Sequence, residues 1–171
     1  MRCVVQRVKE ASVTVDGEIV GKTGPGILAL IGVSTEDTDK DYKYILDKVP
    51  NLRIFDDENG VMNRSLLDEG HSILAVSQFT LYGDARGGRR PSYIRAAAPD
   101  MANAYYERLV NEWRAKGIHV ETGRFRTEMQ VSLINDGPVT IRLTLDVHSR
   151  EEMDKVMGAL RNKSDILDVY R

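Results

Sequence analysis

The alternation of hydrophobic and polar positions predicts that the chain opens with strands. Residues 2–8 alternate weakly, and two further strand-like runs, residues 11–15 and 18–21, flank the dipeptide Asp16-Gly17. An Asp-Gly pair between such runs is the strongest short-range signal for a β-hairpin. After a Gly-Pro-Gly turn, the continuous apolar run ILALIGV at residues 27–33 is typical of a central strand that is buried on both faces. We therefore expect an antiparallel sheet at the start of the fold.

Helical periodicity follows these strands. A first helix is predicted behind Ser34 or Thr35, either of which can cap it, and Pro50 is expected to end it before a short strand at residues 52–55. A longer helix is predicted from about residue 99 to residue 116, with an apolar stripe that we interpret as facing the core and not as a platform for stacked nucleobases. The stripes consist of Tyr42, Ile45, Leu46 and Val49 in the first helix and Met101, Tyr105, Leu109 and Trp113 in the second.

Composition narrows the class of protein. The 171 residues fit one domain, and a chain of this length buries roughly 70% of the surface that it exposes when unfolded. Because 24 basic and 26 acidic residues leave a net charge of −2, no global field attracts nucleic acid or an anionic membrane, and any RNA contact has to be local. The single cysteine, Cys3, is expected in the core and agrees with a reducing compartment. Neither a membrane-spanning run nor a signal peptide is evident, so we expect a cytoplasmic protein.

The segment NDGPVTI, residues 135–141, interrupts a strand signal at a position where the chain is expected to turn. Asn135, Asp136, Gly137 and Pro138 separate a strand-like run from the β-branched residues that follow. The segment is either an ordinary tight turn or a loop of fixed shape. An X-Pro bond is the common place for a cis peptide, which would turn two successive carbonyls to one side. Such a loop would be a rigid probe with two carbonyl groups.

A second polar segment, SQFTLYGD at residues 77–84, follows the apolar run at residues 73–76. Hydroxyl and amide groups therefore stand where a buried strand is expected to meet its loop, which is typical of functional sites. The alternative is that Ser77, Gln78 and Thr80 only cap the following turn. The two segments together are more specific than either one alone.

Read as a pair, SQFTL and NDGPVT resemble the D-aminoacyl-tRNA deacylases of the bacterial and eukaryotic type. The likeness runs through MRCVVQRV, NLRIFDD, MNRSLLD, GRRPSY and ETGRF and covers most of the chain. The related animal deacylase family, which has a different pair of motifs at these two places, fits less well. The resemblance implies an α/β fold in which a barrel-like, mainly antiparallel sheet is flanked by helices. It also implies hydrolysis of the ester of D-aminoacyl-tRNA to free tRNA and a D-amino acid.

The sequence contains no conventional catalytic motif for this reaction. His71, His119 and His148 are far apart and lack the spacing of a helical metal pair, so we expect neither a metal nor another cofactor. Ser77 and Thr80 stand in no GxSxG motif, and no histidine is placed by sequence to act as their base. The resemblance implies instead that the vicinal hydroxyl of the substrate's terminal ribose helps to activate the water. The protein would position the ester.

The resemblance also assigns residues to the site. The catalytic segment would comprise Ser77, Gln78, Phe79 and Thr80, with backbone amides near Phe79 and Thr80 in contact with the oxyanion. Phe125 and Met129 would bind the substrate.

Selection for the D-amino acid is implied to reside in the Gly-Pro step. Gly137 and Pro138 would hold the substrate's α-amino group with their carbonyls and exclude an L side chain, because backbone cannot adapt by changing rotamer. Glycyl-tRNA, including glycine mischarged on tRNA(Ala), would pass this filter. In such enzymes the second subunit of a homodimer lends the loop, and Arg7 would tether it.

One dense basic patch lies between residues 83 and 95. Arg86, Arg89, Arg90 and Arg95 face only one acidic residue in this segment, Asp84, and paired glycines allow close approach of a ligand. The segment is either a solvated loop or a surface that binds tRNA phosphates through Arg86, Arg89 and Arg90. Phosphate contacts would give affinity for RNA without reading its sequence.

We assign residues 1–146, which carry the resemblance, to a deacylase domain. Residues 147–171 extend beyond it. Met153, Val156, Met157 and Leu160 fit one face of a helix, and a short strand is expected to follow. We interpret this extension as packed on the same domain. Its pattern is weakly similar to the end of ACT-type amino-acid-binding domains. With the basic patch, it supports one rival hypothesis, a non-catalytic protein that binds RNA or an amino acid.

Overall fold

The computed structural model describes residues 1–144, apart from the side chain of Pro138, so the predicted extension at residues 147–171 lies outside the described residues. The strands are β1 (Arg2–Val15), β2 (Glu18–Thr23), β3 (Gly26–Gly32), β4 (Phe55–Asp56), β5 (Met62–Arg64), β6 (Ser72–Ser77), β7 (Val120–Thr122) and β8 (Gln130–Thr144). The helices are α1 (Asp39–Asn51), α2 (Leu66–Glu69) and α3 (Pro99–Ala115), with a 3₁₀ turn at Phe79–Tyr82.

Six of these strands form one mixed sheet. Its order is β2-β1-β3-β6-β7, and β8 pairs with β1 away from this path. β1 is antiparallel to β2, β3 and β8, whereas β6 is parallel to both β3 and β7. The end strands β2 and β7 approach so closely that a Cβ on Gly21 would lie 2.3 Å from the carbonyl oxygen of Thr122. The sheet is therefore a nearly closed barrel, and the predicted α/β fold class is confirmed.

The sheet separates two hydrophobic clusters. The smaller cluster fills the barrel and includes Val8, Val13, Leu28, Leu74 and Val76. The larger cluster lies between the outer face of the sheet and the helices. β3 contributes to both clusters, and only Leu30 in it is more than slightly exposed. The prediction of a central strand buried on both faces at ILALIGV is thus confirmed.

The opening hairpin also follows the sequence prediction. β1 and β2 pair with Val15 opposite Glu18, and the two residues between them have positive φ angles, 51° at Asp16 and 82° at Gly17. Two such residues form the turn whose twist matches that of the flanking strands. β1 differs from the prediction in its length, because it runs without a break from Arg2 to Val15.

The predicted ends of the first helix were wrong. Thr38 precedes α1, and its backbone N–H donates a 2.9 Å hydrogen bond to the carboxylate of Asp41. Ser34 does not cap the helix. It forms an isolated β-bridge with Ala96, and its backbone N–H donates a 2.7 Å hydrogen bond to the carboxylate of Asp37. The strand predicted at residues 52–55 begins only at Phe55.

Pro50 lies inside the last turn of α1 and does not end it. A proline has no N–H to donate to the carbonyl four residues earlier, which here belongs to Leu46. That carbonyl accepts a 2.9 Å hydrogen bond from Nε1 of Trp113, a residue of α3 that is fully buried. The indole therefore replaces the missing helical bond and joins α1 to α3.

The apolar stripe of α3 is rotated slightly from the predicted one. Leu109 and Trp113 are buried as predicted, but the other buried positions are Tyr106 and Val110, whereas Tyr105 is only partly buried. The hydroxyl of Tyr106 donates a 2.8 Å hydrogen bond to the carbonyl of Ala75 in β6, so the buried polar atom has a partner. The stripe faces the core.

Candidate active site

The parallel strands β3, β6 and β7 end at one edge of the sheet, where the segments that follow them enclose a cavity. Such an edge is the usual ligand site in sheets with parallel strands. The cavity has a volume of about 560 Å³ and opens beside Val76, a residue of the cluster that fills the barrel. It is lined by Val76, Ser77, Gln78, Phe79, Tyr93, Ala96, Ala97, Pro99, Ala102, Phe125, Arg126, Thr127, Met129 and Val131.

The catalytic segment predicted from the sequence lies at one wall of this cavity. Ser77 is the last residue of β6 and pairs with Ile31 of β3, and the backbone N–H of Gln78 donates to the carbonyl of Ile31 over 2.7 Å. The side-chain amide of Gln78 donates to the hydroxyl of Thr80, which does not line the cavity. These two side chains thus bond to each other across the turn, but the side chain of Gln78, the residue that precedes the turn, makes no capping hydrogen bond to its backbone.

Two backbone donors stand at the start of the 3₁₀ turn. The N–H groups of Phe79 and Thr80 precede the first hydrogen bond of the turn, which runs from Leu81 to the carbonyl of Gln78. Neither N–H donates a hydrogen bond to any residue in the described part of the chain. Both residues are exposed. The turn can therefore offer two amide donors to a negatively charged oxygen.

Aromatic and apolar side chains form the remaining walls. Phe79 is 56% exposed and meets Tyr93 edge to face, with 5.2 Å between the ring centroids. Phe125 and Met129, both predicted as substrate-binding residues, contribute another part of the lining. Gly123 allows Met129 to approach, because a Cβ on this glycine would lie 2.6 Å from the methionine sulfur. The two amide donors thus lie at the wall of the cavity that contains Phe79, and its aromatic side chains offer surfaces on which a nucleobase can stack.

Several lining residues were not predicted from the sequence. Tyr93 belongs to the motif GRRPSY, which is part of the family resemblance, but the sequence did not predict that this tyrosine lines the cavity. Ala96 and Ala97 are held by the residues that follow β3, since Ser34 pairs with Ala96 and Ala97 donates to the carbonyl of Val33 over 2.9 Å. No local pattern predicts these long-range contacts.

The Gly-Pro segment is not the turn that the sequence predicted. β8 is one strand through it, but residues 136–139 stand opposite Arg7 alone, because Gln6 pairs with Thr140 and Val8 with Asn135. The extra residues are accommodated as a wide bulge on one strand, so no reversal of the chain is needed. The backbone therefore departs from the ladder and returns to the same partner strand.

Arg7 holds this bulge from the other strand. Its side chain is 10% exposed, Nε donates to the carbonyl of Asp136 over 2.8 Å, and a second nitrogen donates to the carbonyl of Ile54 over 2.7 Å. Carboxylates of Asp56 and Asp136 lie 3.4 and 3.2 Å from the guanidinium. The arginine thus links the bulge to the segment before β4 within one chain.

The cavity and the bulge lie at different places in one chain. Gly137 does not line the cavity, and Val131, which does, precedes it by six residues on β8. Six residues of extended strand span roughly 20 Å, and the bulge shortens this distance. The structure therefore brings Ser77, Gln78, Phe79, Phe125 and Met129 together and leaves Arg7 and Gly137 apart from them.

The predicted tRNA-binding arginines differ in their surroundings. Arg86 forms a pair of hydrogen bonds with Asp84, at 2.6 and 2.9 Å, and this partner holds the pKa of the aspartate well below its usual range. Arg89 and Arg90 are exposed and form neither an ion pair nor a hydrogen bond with the described part of the chain. Their charge is available to a ligand.

Residues 1–144 contain no group of three or more histidine, cysteine or acidic side chains placed to hold a metal ion. His119 lies 3.2 Å from Glu121, and His71 packs edge to face on Phe55. His148 lies outside the described residues. Over the same range, the helices are too short or too polar to cross a membrane.

Comparison with known proteins identifies a family for this chain. The family described as D-Tyr-tRNA(Tyr) deacylase matches residues 4–144. A relative from Symbiobacterium thermophilum, named D-aminoacyl-tRNA deacylase, is 58% identical over 141 residues, which are 82% of this chain and 93% of the relative. A protein of the same name from Bacillus cytotoxicus is 57% identical over 141 residues, with 82% of this chain and 97% of the relative covered.

Solved structures show the same architecture. The c-Myc DNA Unwinding Element Binding Protein is similar with a TM-score of 0.81 and 40% identity, over 86% of this chain and 100% of that chain. A probable eukaryotic D-amino acid tRNA deacylase has a TM-score of 0.71 over 83% of this chain and 97% of that chain, and at 19% identity it supports the fold alone.

The barrel-like sheet, its flanking helices and the similarity to known deacylases define an α/β protein of a hydrolase family. The chain belongs to the D-Tyr-tRNA(Tyr) deacylase family, as its motifs predicted.

Proposed function

We propose that the protein hydrolyses the ester bond of D-aminoacyl-tRNA and releases free tRNA and a D-amino acid. The observation that carries this proposal is the cavity at the end of β6, where the amides of Phe79 and Thr80 have no acceptor within residues 1–144. Ester hydrolysis develops negative charge on the carbonyl oxygen, and fixed amide donors stabilise that charge. Family membership supplies the class of ester.

Activation of the water is assigned to the substrate. In aminoacyl-tRNA, the second hydroxyl of the terminal ribose lies beside the ester and can orient or polarise the attacking water. The cavity supports this assignment, because its lining within residues 1–144 contains neither a histidine nor a carboxylate that could act as a base. The protein then contributes position and amide donors, while Phe125 and Met129 offer apolar surface to the terminal adenine.

Selection for the D-amino acid is assigned to a second copy of the chain. Gly137 lies away from the cavity of its own chain, so a homodimer in which each protomer lends residues 137 and 138 to its partner's cavity would bring the two parts together. A rigid carbonyl pair there would hold the α-amino group and leave space on one side of the α-carbon only. Glycyl esters, including glycine mischarged on tRNA(Ala), would pass because glycine has no side chain to exclude.

The tRNA is assigned to the basic loop beside the cavity. Arg89 and Arg90 are exposed, and Tyr93 of the same loop forms a wall of the cavity. Phosphate contacts from this loop would add affinity without sequence readout. The substrate places this activity in the cytoplasm, where aminoacyl-tRNA is used.

The test is the single-turnover rate of deacylation of D-tyrosyl-tRNA and L-tyrosyl-tRNA at saturating protein. The proposal predicts loss of the D ester alone. Ala102→Trp, which fills the cavity from α3, should abolish that activity, whereas Ala104→Trp on an exposed position of the same helix is the matched control. Binding of both charged tRNAs without turnover of either would favour the rival, a non-catalytic RNA-binding protein.

A further inference from the structure

Arg126 brings the only charge to the lining of the cavity within residues 1–144. It also lines a second recess, which has a volume of about 460 Å³ and lies beside the first turns of α3. We call this space the α3 recess. It shares Pro99, Phe125 and Arg126 with the cavity, and its remaining walls are Asp100, Asn103, Ala104 and Glu107. A ligand that extends from the cavity past Phe125 into the α3 recess therefore meets Arg126.

The guanidinium of Arg126 is available to a ligand. Arg126 is exposed and forms neither an ion pair nor a hydrogen bond with the described part of the chain. Asp100 and Glu107 line the same recess, but neither is paired with Arg126, and Glu107 instead accepts a 2.9 Å hydrogen bond from the side-chain amide of Asn103. Within residues 1–144, no contact therefore neutralises the positive charge on the border between the cavity and the α3 recess.

The backbone at Arg126 has a conformation that favours glycine. Its φ angle is 58°, and in residues 1–144 the only other non-glycine residue with a positive φ is Asp16, where the hairpin turn between β1 and β2 requires it. Neighbours of Arg126 close its turn, because the hydroxyl of Thr127 donates a 2.9 Å hydrogen bond to the carbonyl of Arg124. The fold thus gives no reason for an arginine here, and strained residues of this kind are typical of ligand sites.

The chemistry of the substrate class leaves one kind of anion for this cation. In an aminoacyl ester of RNA, the ester and the α-amino group carry no negative charge, so the anions nearest to the reacting bond are phosphodiesters. The first of them joins the terminal nucleotide to the nucleotide before it. A guanidinium binds a phosphate through two parallel N–H donors. Asp100 and Glu107 would repel a phosphate inside the α3 recess, which leaves the border at Arg126 for it.

We propose that Arg126 binds the phosphodiester that joins the terminal nucleotide of the RNA to the nucleotide before it. This proposal rests on the proposed function, because it takes the terminal nucleotide to occupy the cavity. The nucleotide before it then lies in the α3 recess, where the ring of Phe125 offers a surface for stacking. Arg126 contributes affinity and position, and takes no part in breaking the ester.

The experiment compares three substrates that differ at one linkage. D-tyrosyl-adenosine has no phosphodiester, and the D-tyrosyl ester of the dinucleotide cytidylyl-adenosine has one. The third substrate is the same dinucleotide ester with a neutral methylphosphonate in place of the phosphodiester. Arg126→Gln removes the charge of the side chain. Arg124→Gln is the matched control, since Arg124 is an exposed arginine of the same turn and lines neither the cavity nor the α3 recess.

We expect Arg126→Gln to raise KM for the phosphodiester substrate by about ten-fold, as for one charge-assisted contact, and to leave kcat close to its original value. KM for the adenosine and methylphosphonate esters should not change. Arg126→Lys, which keeps the charge, should recover part of the affinity, and Arg124→Gln should behave as the wild type. An equal effect of Arg126→Gln on all three esters, or none on the phosphodiester substrate, would overturn the proposal.

Arg126→Gly separates this role from a structural one. Glycine relieves the backbone at a φ of 58°, so the midpoint of urea denaturation should be higher than that of the wild type. KM for the phosphodiester substrate should nevertheless rise as it does in Arg126→Gln. A lower midpoint together with an unchanged KM would show that the arginine serves the fold and would contradict the proposal.

A binding measurement separates this proposal from the proposed function. Cytidylyl-adenosine and adenosine, both without an amino acid, are titrated into the wild-type protein and into Arg126→Gln. If the variant binds only the dinucleotide more weakly, Arg126 is supported as a phosphate contact even if no ester is hydrolysed. Equal dinucleotide affinity in both proteins, or no binding of the dinucleotide to the wild type, refutes the contact even if hydrolysis is normal. Turnover of none of the esters by the wild type counts against the proposed function only.

Discussion

Replacing Arg7 tests how the bulge of β8 is held. Arg7→Met keeps the length and apolar stem of the side chain but removes the donors to the carbonyls of Asp136 and Ile54. A hydrogen bond from a charged donor contributes about 1.5–3 kcal/mol to stability. The bond to Ile54 is buried and should reach the upper part of that range, whereas water can replace the partly exposed bond to Asp136. We expect a loss of about 3 kcal/mol.

Arg7→Lys separates charge from geometry. A lysine keeps the positive charge near Asp56 and Asp136, but a single ammonium group cannot serve two carbonyls in the fork arrangement of a guanidinium. Its loss of stability should therefore lie between that of the methionine variant and zero. The free energy of unfolding is measured by urea denaturation at one fixed protein concentration, because the proposed dimer would make the apparent stability depend on concentration.

The same variants are then assayed with both enantiomers of tyrosyl-tRNA. If Arg7 positions Gly137 and Pro138, the D rate should fall at least ten-fold in Arg7→Met under conditions where the protein is folded. A variant destabilised by less than about 1 kcal/mol would refute the energetic argument. A folded variant with a normal D rate and normal rejection of the L ester would refute the positioning role.

Three further predictions concern the barrel, the core and the chemistry. Gly21→Ala should lower the free energy of unfolding by about 1–3 kcal/mol, because the added Cβ would lie 2.3 Å from the carbonyl oxygen of Thr122. Gly24→Ala is the neutral control in the same denaturation assay, since nothing lies within 4 Å of its Cβ. Burial raises the pKa of the Cys3 thiol from 9.0 to about 12, so a thiol reagent should label Cys3 only after unfolding. The stability that the buried thiol contributes should decline as the pH rises above 9.0, the pKa of the unfolded state. Thr80→Ala should retain most of the deacylation rate, and an acyl group found on this residue by mass spectrometry would contradict the assignment of water activation to the substrate.

Local patterns were sufficient for the parts of the fold that depend on neighbouring residues. The Asp16-Gly17 hairpin and the buried strand at residues 27–33 follow from turn chemistry and hydrophobic periodicity, and both are confirmed. The family was also identified from its motifs, of which SQFTL and ETGRF contribute directly to the cavity wall. These predictions need no knowledge of which strands are adjacent.

Contacts between distant segments were outside the reach of such patterns. A proline at residue 50 predicts the end of a helix, and only the indole of Trp113 from another helix explains why α1 continues. The Gly-Pro step predicts a turn, but β1 pairs on both sides of it and keeps the chain in one strand. The contact of Arg2, at the start of β1, with the carbonyl of Leu81 after β6 likewise depends on the pairing of distant segments.

The central claim is that one protomer's cavity works with the partner's Gly137–Pro138 segment. Two variants separate these parts: Ala102→Trp fills the cavity, and Gly137→Val places a Cβ 2.4 Å from the backbone nitrogen of Val139, which displaces the segment. Each variant alone should fail to hydrolyse D-tyrosyl-tRNA. In a heterodimer, one of the two sites receives an unaltered cavity and an unaltered segment.

The decisive measurement is the deacylation rate after the two variants are mixed in equal amounts and allowed to exchange subunits. Random pairing makes half of the dimers mixed, each with one intact site, so the account predicts recovery of roughly a quarter of the wild-type D rate, still with rejection of the L ester. A mixture shown to contain heterodimers that remains as inactive as its parents would contradict the account.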